Sequence, residues 1–148
     1  MVNATRVELA GELFGQGYNC AQAVLAAFGP DEGATRVTCL AVATPFGGGL
    51  GRMGEVCGAV SGALMVLGLR HGGDTVADPQ IKDAAYAAAQ EFIARFKQRH
   101  QTILCRELLG CDLGTPEGRA EAQARQLSQT LCPGFVRDAA EILEAMLG

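Results

Sequence analysis

Apolar residues recur at three- and four-residue intervals along most of the chain, a period that predicts helices rather than strands. Val7, Ala10, Leu13 and Phe14 mark a first helix face, and Thr5 with Glu8 three residues on has the pattern of a capping box. Gly15 and Gly17 can end that helix. Asn19 and Gln22 repeat the box and open a second helix through Phe28, which Gly29-Pro30 stops. Residues 33–44 contain VTCLAVAT, whose β-branched side chains also suit a strand. A helix is preferred there because no partner strand is visible elsewhere.

A central helix is predicted over about residues 54–69, with Gly72-Gly73 beyond it. Asp78-Pro79 supplies an N-cap and a proline at the first helical position. Ile81, Ala85, Ala88, Phe92 and Phe96 then mark one face of a helix reaching about Arg99. A short helix opens at Thr102 and ends at Gly110, and another opens at Thr115-Pro116 and reaches about Gln129. The last begins at Cys132-Pro133, with Val136, Ala139, Leu143 and Met146 inward. The pattern reads as an all-α, compact, single-domain bundle of about eight helical segments over residues 1–148, with no linker and no internal repeat.

Composition adds limits. A chain of 148 residues can bury a sizeable core, and 49% hydrophobic against 19% charged residues argues against disorder. Abundant alanine, 20 glycines and no tryptophan favour closely packed helices. The net charge of −4 and the lack of a basic block make nucleic acid a poor partner. The opening MVNATRVELAGELF has no long apolar core or small-residue cleavage site, so no secretory signal is expected. The uncharged run Val56–Leu69 is too short to span a bilayer, so no membrane insertion is expected either. The expectation is a soluble cytoplasmic protein.

The six cysteines change the picture: Cys20, Cys39, Cys57, Cys105, Cys111 and Cys132. Structural disulfides lose their rationale in a cytoplasmic chain with a core of this size. Any one cysteine can be a small buried apolar residue. The spacings contain no C-x-x-C zinc or haem pattern. Three of the six fall at predicted helix starts: Cys20 after Asn19, Cys57 early in the central helix, and Cys132 at the N-cap before Pro133. Free amides and the helix dipole there are expected to stabilise a thiolate and lower its pKa.

Gly54, Gly58 and Gly62 form a bare stripe on the expected central helix, where a neighbouring helix or a cofactor can approach. Gly47-Gly48-Gly49 and Gly51 predict a loop with exposed N–H groups able to bind sulfur or an anion. No Gly-Lys-Ser/Thr follows, so it is not a P-loop. His71 and His100 read as surface residues at helix C-termini, Glu55 as a helix-start carboxylate, and Arg52 as a loop arginine or a counter-charge to a thiolate. No Ser-His-Asp or paired-carboxylate arrangement supports a hydrolase.

The run Cys57-Gly58-Ala59-Val60-Ser61-Gly62 resembles the Cys-Gly-Ala-x-x-Gly core of the redox-active C_GCAxxG_C_C family. The likeness extends to GYNCAQAVLAAF, ATPFGGGLGRMGEVCG, CRELLG and CPGFVRDAAEILE, which together run through nearly the whole chain in order. It implies that the family cysteines are Cys20, Cys57, Cys105 and Cys132, leaving Cys39 and Cys111 as packing residues or secondary thiols. A related domain occurs in split-Soret haem proteins, where a small iron–sulfur centre is associated with these cysteines; this chain lacks a haem-attachment motif. The favoured expectation is a redox or electron-transfer protein whose four thiolates bind a two-iron or four-iron cluster, with Gly48, Gly49 and Gly58 lining it. The alternatives are a metal-free thiol–disulfide protein attacking through Cys57 or Cys20, a structural four-thiolate zinc site, and a helical adaptor with inert cysteines. The partner expected is an unidentified redox protein or substrate, with homodimerisation left open.

Overall fold

The structure, a computed structural model, describes residues 5–148. Residues 1–4, part of the stretch read for a secretory signal, lie outside the described residues. The described residues form nine α-helices: α1 (Arg6–Gly15), α2 (Cys20–Phe28), α3 (Arg36–Ala43), α4 (Gly58–His71), α5 (Pro79–His100), α6 (Cys105–Leu109), α7 (Pro116–Ala124), α8 (Leu127–Thr130) and α9 (Cys132–Leu147). They contain no β-strand, and the all-α expectation holds, including a helix rather than a strand over VTCLAVAT. No helix among the described residues is long and apolar enough to cross a membrane.

Both expected capping boxes form. Thr5 and Glu8 cap α1 reciprocally, and Asn19 and Gln22 do the same for α2. The hydrophobic character of α2 extends around its whole circumference, and seven of its nine residues are buried. A helix apolar on all sides belongs in the middle of a fold. α1, α3, α4 and α9 accordingly all pack against it. Arg6 fastens α1 to α9 through a two-pronged bond to Glu144, at 3.0 Å for each prong, and its guanidinium lies 4.8 Å from the centre of the Phe28 ring.

Several boundaries differ from expectation. The central helix starts at Gly58, not near Gly54, and Gly54 belongs to the preceding loop with φ of +71°. The helical glycine stripe is therefore Gly58 and Gly62 alone. An added Cβ would meet the Ala21 amide nitrogen at 3.1 Å from Gly58, and the Ala21 carbonyl oxygen at 2.7 Å from Gly62. These two glycines let α4 lie directly on the backbone of α2. The expected helix from Thr115 to about Gln129 is split into α7 and α8, because Gln126 adopts a left-handed conformation with φ of +52°.

Candidate functional site

The glycine-rich loop of residues 47–57 closes on itself before α4 begins. The amides of Arg52, Gly54 and Glu55 donate to the carbonyls of Gly47, Gly48 and Gly49. A single antiparallel bridge, Val56 to Leu104, then joins the loop to the start of α6. The Cys57 amide donates to the Ile103 carbonyl at 2.8 Å, and the Cys105 amide donates to the Glu55 carbonyl at 2.6 Å. Side chains alternate across such a bridge, so Cys57 and Cys105 share the face opposite Val56 and Leu104. Gly49, with φ of +75°, makes room for this arrangement: a Cβ on it would come within 2.7 Å of the Cys105 Cβ and of the Glu55 nitrogen.

The other two family cysteines arrive from α2 and α9. Cys20 is the first residue of α2, and its Cβ would lie 3.1 Å from a Cβ on Gly58. Asn19 fixes this helix start from two sides. Its side-chain oxygen accepts from the Gln22 amide at 2.9 Å, and its side-chain nitrogen donates to the Thr44 carbonyl at 3.0 Å. Cys132 is the first residue of α9 rather than its N-cap, so the helix starts one residue earlier than expected, with Leu131 as the N-cap. Cys105 opens α6 although the sequence suggested a start at Thr102. All four thiols of the expected set thus sit at helix N-termini.

These four cysteines line one cavity of about 680 Å³. Gly48, Gly49 and Gly58 line it with them. Cys39 does not; it is 1% exposed within α3, against Gly29 and the core. Cys111 is buried beyond α6 and also stays out of the lining. All six cysteines are free thiols. Among the described residues no group of three or more His, Cys, Asp or Glu is arranged to hold a metal ion. The thiols surround a space rather than a point.

The expected lowering of thiol pKa at helix starts is reversed at two of its three positions. Burial pushes Cys57 up to about 11, outweighing the Ala59 and Val60 amides that favour its thiolate. Cys20 is raised well above the ordinary thiol value, first by donating a hydrogen bond to Cys132 and then by burial. Cys132 alone is lowered, because its sulfur accepts that bond. Cys105 is pushed up to about 12, by burial and then by the neighbouring Cys57 and Cys132. Desolvation exceeds the helix-end effect here because taking a thiolate out of water costs more than one turn of free amides returns.

The other sequence candidates fall outside the cavity. Glu55 precedes α4 rather than capping it, and its carboxylate pairs with Arg106 at 3.1 Å. Arg52 is exposed in the loop with φ of +65° and does not line the cavity. His71 is exposed in the last turn of α4, as expected. His100 is half-buried rather than fully exposed. Its ring lies between Phe96 and Phe135, with centroids at 4.7 and 5.0 Å, and Nε2 is 2.7 Å from Asp138. Sequence reading missed the rest of the lining, Phe14, Tyr18, Leu108 and Phe135 among it. Helical periodicity marks these as ordinary apolar positions, and nothing local tells a cavity wall from a core.

A comparison with family models finds a match over residues 18–146 to the family described as "Putative redox-active protein (C_GCAxxG_C_C)". No curated protein and no solved structure matches the chain.

Proposed function

The chain belongs to the C_GCAxxG_C_C family, and from that premise we propose that it is a redox protein whose chemistry takes place in the cavity shared by Cys20, Cys57, Cys105 and Cys132. The observation that carries this reading is the convergence of four thiols from four helix starts on one space, with the other two cysteines left outside it. Four thiolates are the usual complement of a two-iron or four-iron cluster. Such a cluster spreads its thiolates over more than one metal position, which suits thiols set around a space better than a single tetrahedral ion does. Bound there, it would supply one-electron transfer.

The protein's own contribution is positional. The bridge between Val56 and Leu104 fixes the backbone of Cys57 and Cys105. Asn19 fixes that of Cys20, and Gly49 and Gly58 leave the approach open. Burial keeps the Cys57 and Cys105 thiols protonated, so loading a cluster would release protons. A cytoplasmic setting, where thiols stay reduced, belongs to the same reading.

A metal-free dithiol is favoured by one observation, the placement of Cys20 and Cys132 at two adjoining helix starts in the same cavity wall, close enough to shift each other's titration. It stabilises the Cys132 thiolate as an attacking group next to a second thiol that could resolve a mixed disulfide.

One experiment separates the two. Protein purified without oxygen is assayed for visible absorbance, iron and acid-labile sulfide. Colour with both elements supports the cluster. A colourless, metal-free protein whose thiol count falls reversibly on oxidation, at Cys20 and Cys132, supports the dithiol. Colourless protein with inert thiols would overturn the redox reading.

A further inference from the structure

Among the described residues lining the cysteine cavity, none is charged: the wall holds no Asp, Glu, Lys, Arg or His. The lining continues from Cys105 one helical turn to Leu108 and on to Leu113, and aromatic rings enter it from Phe14, Tyr18 and Phe135. Metal–sulfur bonds of about 2.3 Å would keep an inorganic group close to the sulfurs. The remaining wall faces space that such a group does not fill. The volume of about 680 Å³ lies within the usual range for small organic ligands, and a mostly apolar wall with a few polar groups is the usual character of such sites.

We propose that this cavity binds a neutral, largely apolar, ring-sized organic molecule beside the thiols. The aromatic and leucine side chains would cover its faces, and stacking on Phe14, Tyr18 or Phe135 favours a planar ring. The Tyr18 hydroxyl, Ser128 and Gln129 supply uncharged hydrogen-bonding groups that can orient a carbonyl or hydroxyl on it. An ammonium would leave water for a wall with no carboxylate and with four helix N-termini beside it, which is strongly unfavourable. A phosphate or carboxylate would meet no cationic side chain, and the Ala59 and Val60 amides at the start of α4 are already directed at the Cys57 sulfur. Nucleotides, dicarboxylates and charged peptide thiols are thereby disfavoured as occupants. The inference rests on the reading of this cavity as the redox site, but it concerns binding alone.

The test uses a matched pair of probes, 2-naphthol and naphthalene-2-sulfonate, in equilibrium dialysis against the anaerobically purified protein at neutral pH. The neutral probe is expected to bind saturably, and the anion at least about tenfold more weakly. Ser128 is exposed at the cavity, so Ser128→Arg can add a cation there without disturbing the core. That variant, with wild-type helicity by circular dichroism, should raise affinity for the sulfonate several-fold and leave 2-naphthol affected less. Equal binding of the two probes to wild type, no saturable binding of 2-naphthol, or no change in sulfonate affinity in Ser128→Arg would each overturn the proposal. None of these readouts uses iron, sulfide or thiol oxidation. Failure here therefore leaves the redox reading standing, and failure of the redox assays leaves this result intact.

Discussion

Cys57 and Cys105 are diagonal neighbours on one face of the antiparallel bridge that Val56 forms with Leu104. Their amides donate to Ile103 and Glu55 across that bridge, so main-chain hydrogen bonds fix the two backbones relative to each other. Almost fifty residues of chain separate them, yet their relative placement does not depend on side-chain rotamers. Two thiols held in this way are preorganised, and in the proposed cluster they would form half of the ligand set.

Serine substitution tests the set against the cysteines outside it. Cys57→Ser and Cys105→Ser keep size nearly constant but remove a soft, ionisable ligand. On the proposed cluster reading, each should abolish the visible absorbance and the bound iron of anaerobically purified protein while helix content stays at the wild-type level. Cys39→Ser, inside the core of α3, should leave the cofactor content unchanged. If Cys57→Ser and Cys39→Ser give the same iron and sulfide values, Cys57 is only a packing residue.

Asn19→Ala removes the N-cap of α2 and the tie to the Thr44 carbonyl together. Loss of the cap should cost about 0.5–2 kcal/mol in urea unfolding. The same change frees the helix start that carries Cys20, so on the proposed cluster reading cofactor retention should fall in parallel. Thr115→Ala loses a comparable cap at α7, where its hydroxyl accepts from the Gly118 amide at 2.9 Å. Thr115 does not line the cavity, so this change should lower stability without that loss. Equal cofactor retention in the two variants would remove any positioning role from Asn19.

Gly62→Leu should push α4 off α2 and destabilise by about 1–3 kcal/mol through overpacking. The reason is backbone contact, since the Ala21 carbonyl leaves no room even for a Cβ. Gly68, on the same helix, has no atom within 4 Å of an added Cβ and is exposed. Gly68→Ala should therefore stabilise, by up to about 1 kcal/mol, as expected for glycine replaced inside a helix. Thermal midpoints of the two variants that move the same way would show that the Gly62 face is not a contact.

Much of this fold was readable locally. Thr5 with Glu8, Asn19 with Gln22, Asp78-Pro79 and Gly110 mark helix ends because a side chain or a left-handed backbone within a few residues satisfies the free peptide groups there. The start of α4 was not readable in that way. Cys57 makes no side-chain capping bond, and the helix begins where it does because residues 103–106 hold the preceding strand-like segment. Leu50 and Arg52 adopt left-handed conformations that their residue types give no reason to expect. The four thiols could be named from the motif, but what reverses the expected pKa shifts, the neighbouring Cys132 and then burial at Cys20 and burial at Cys57, is a property of the packed whole.

The pH behaviour of the metal-free protein follows from those shifts. Burial raises Cys57 from the ordinary thiol value of 9.0 to about 11, and Cys105 to about 12. Between pH 9 and 12 the folded protein therefore holds protons that the unfolded chain has released. Stability falls with pH wherever the folded state binds the more protons. The contribution of these two buried thiols is thus fully present below pH 9 and is lost as pH rises through about 11 and 12. Cys132 behaves oppositely, since the hydrogen bond from Cys20 lowers its pKa and makes its thiolate available at lower pH. Timed alkylation with iodoacetamide, read by mass spectrometry, should modify Cys132 first at neutral pH. Cys57 and Cys105 should follow only in strongly alkaline solution, alongside a falling urea midpoint. Alkylation of Cys57 at neutral pH as fast as that of Cys132 would mean that the thiol is not buried in solution, and that the closed arrangement of the four helix starts is wrong.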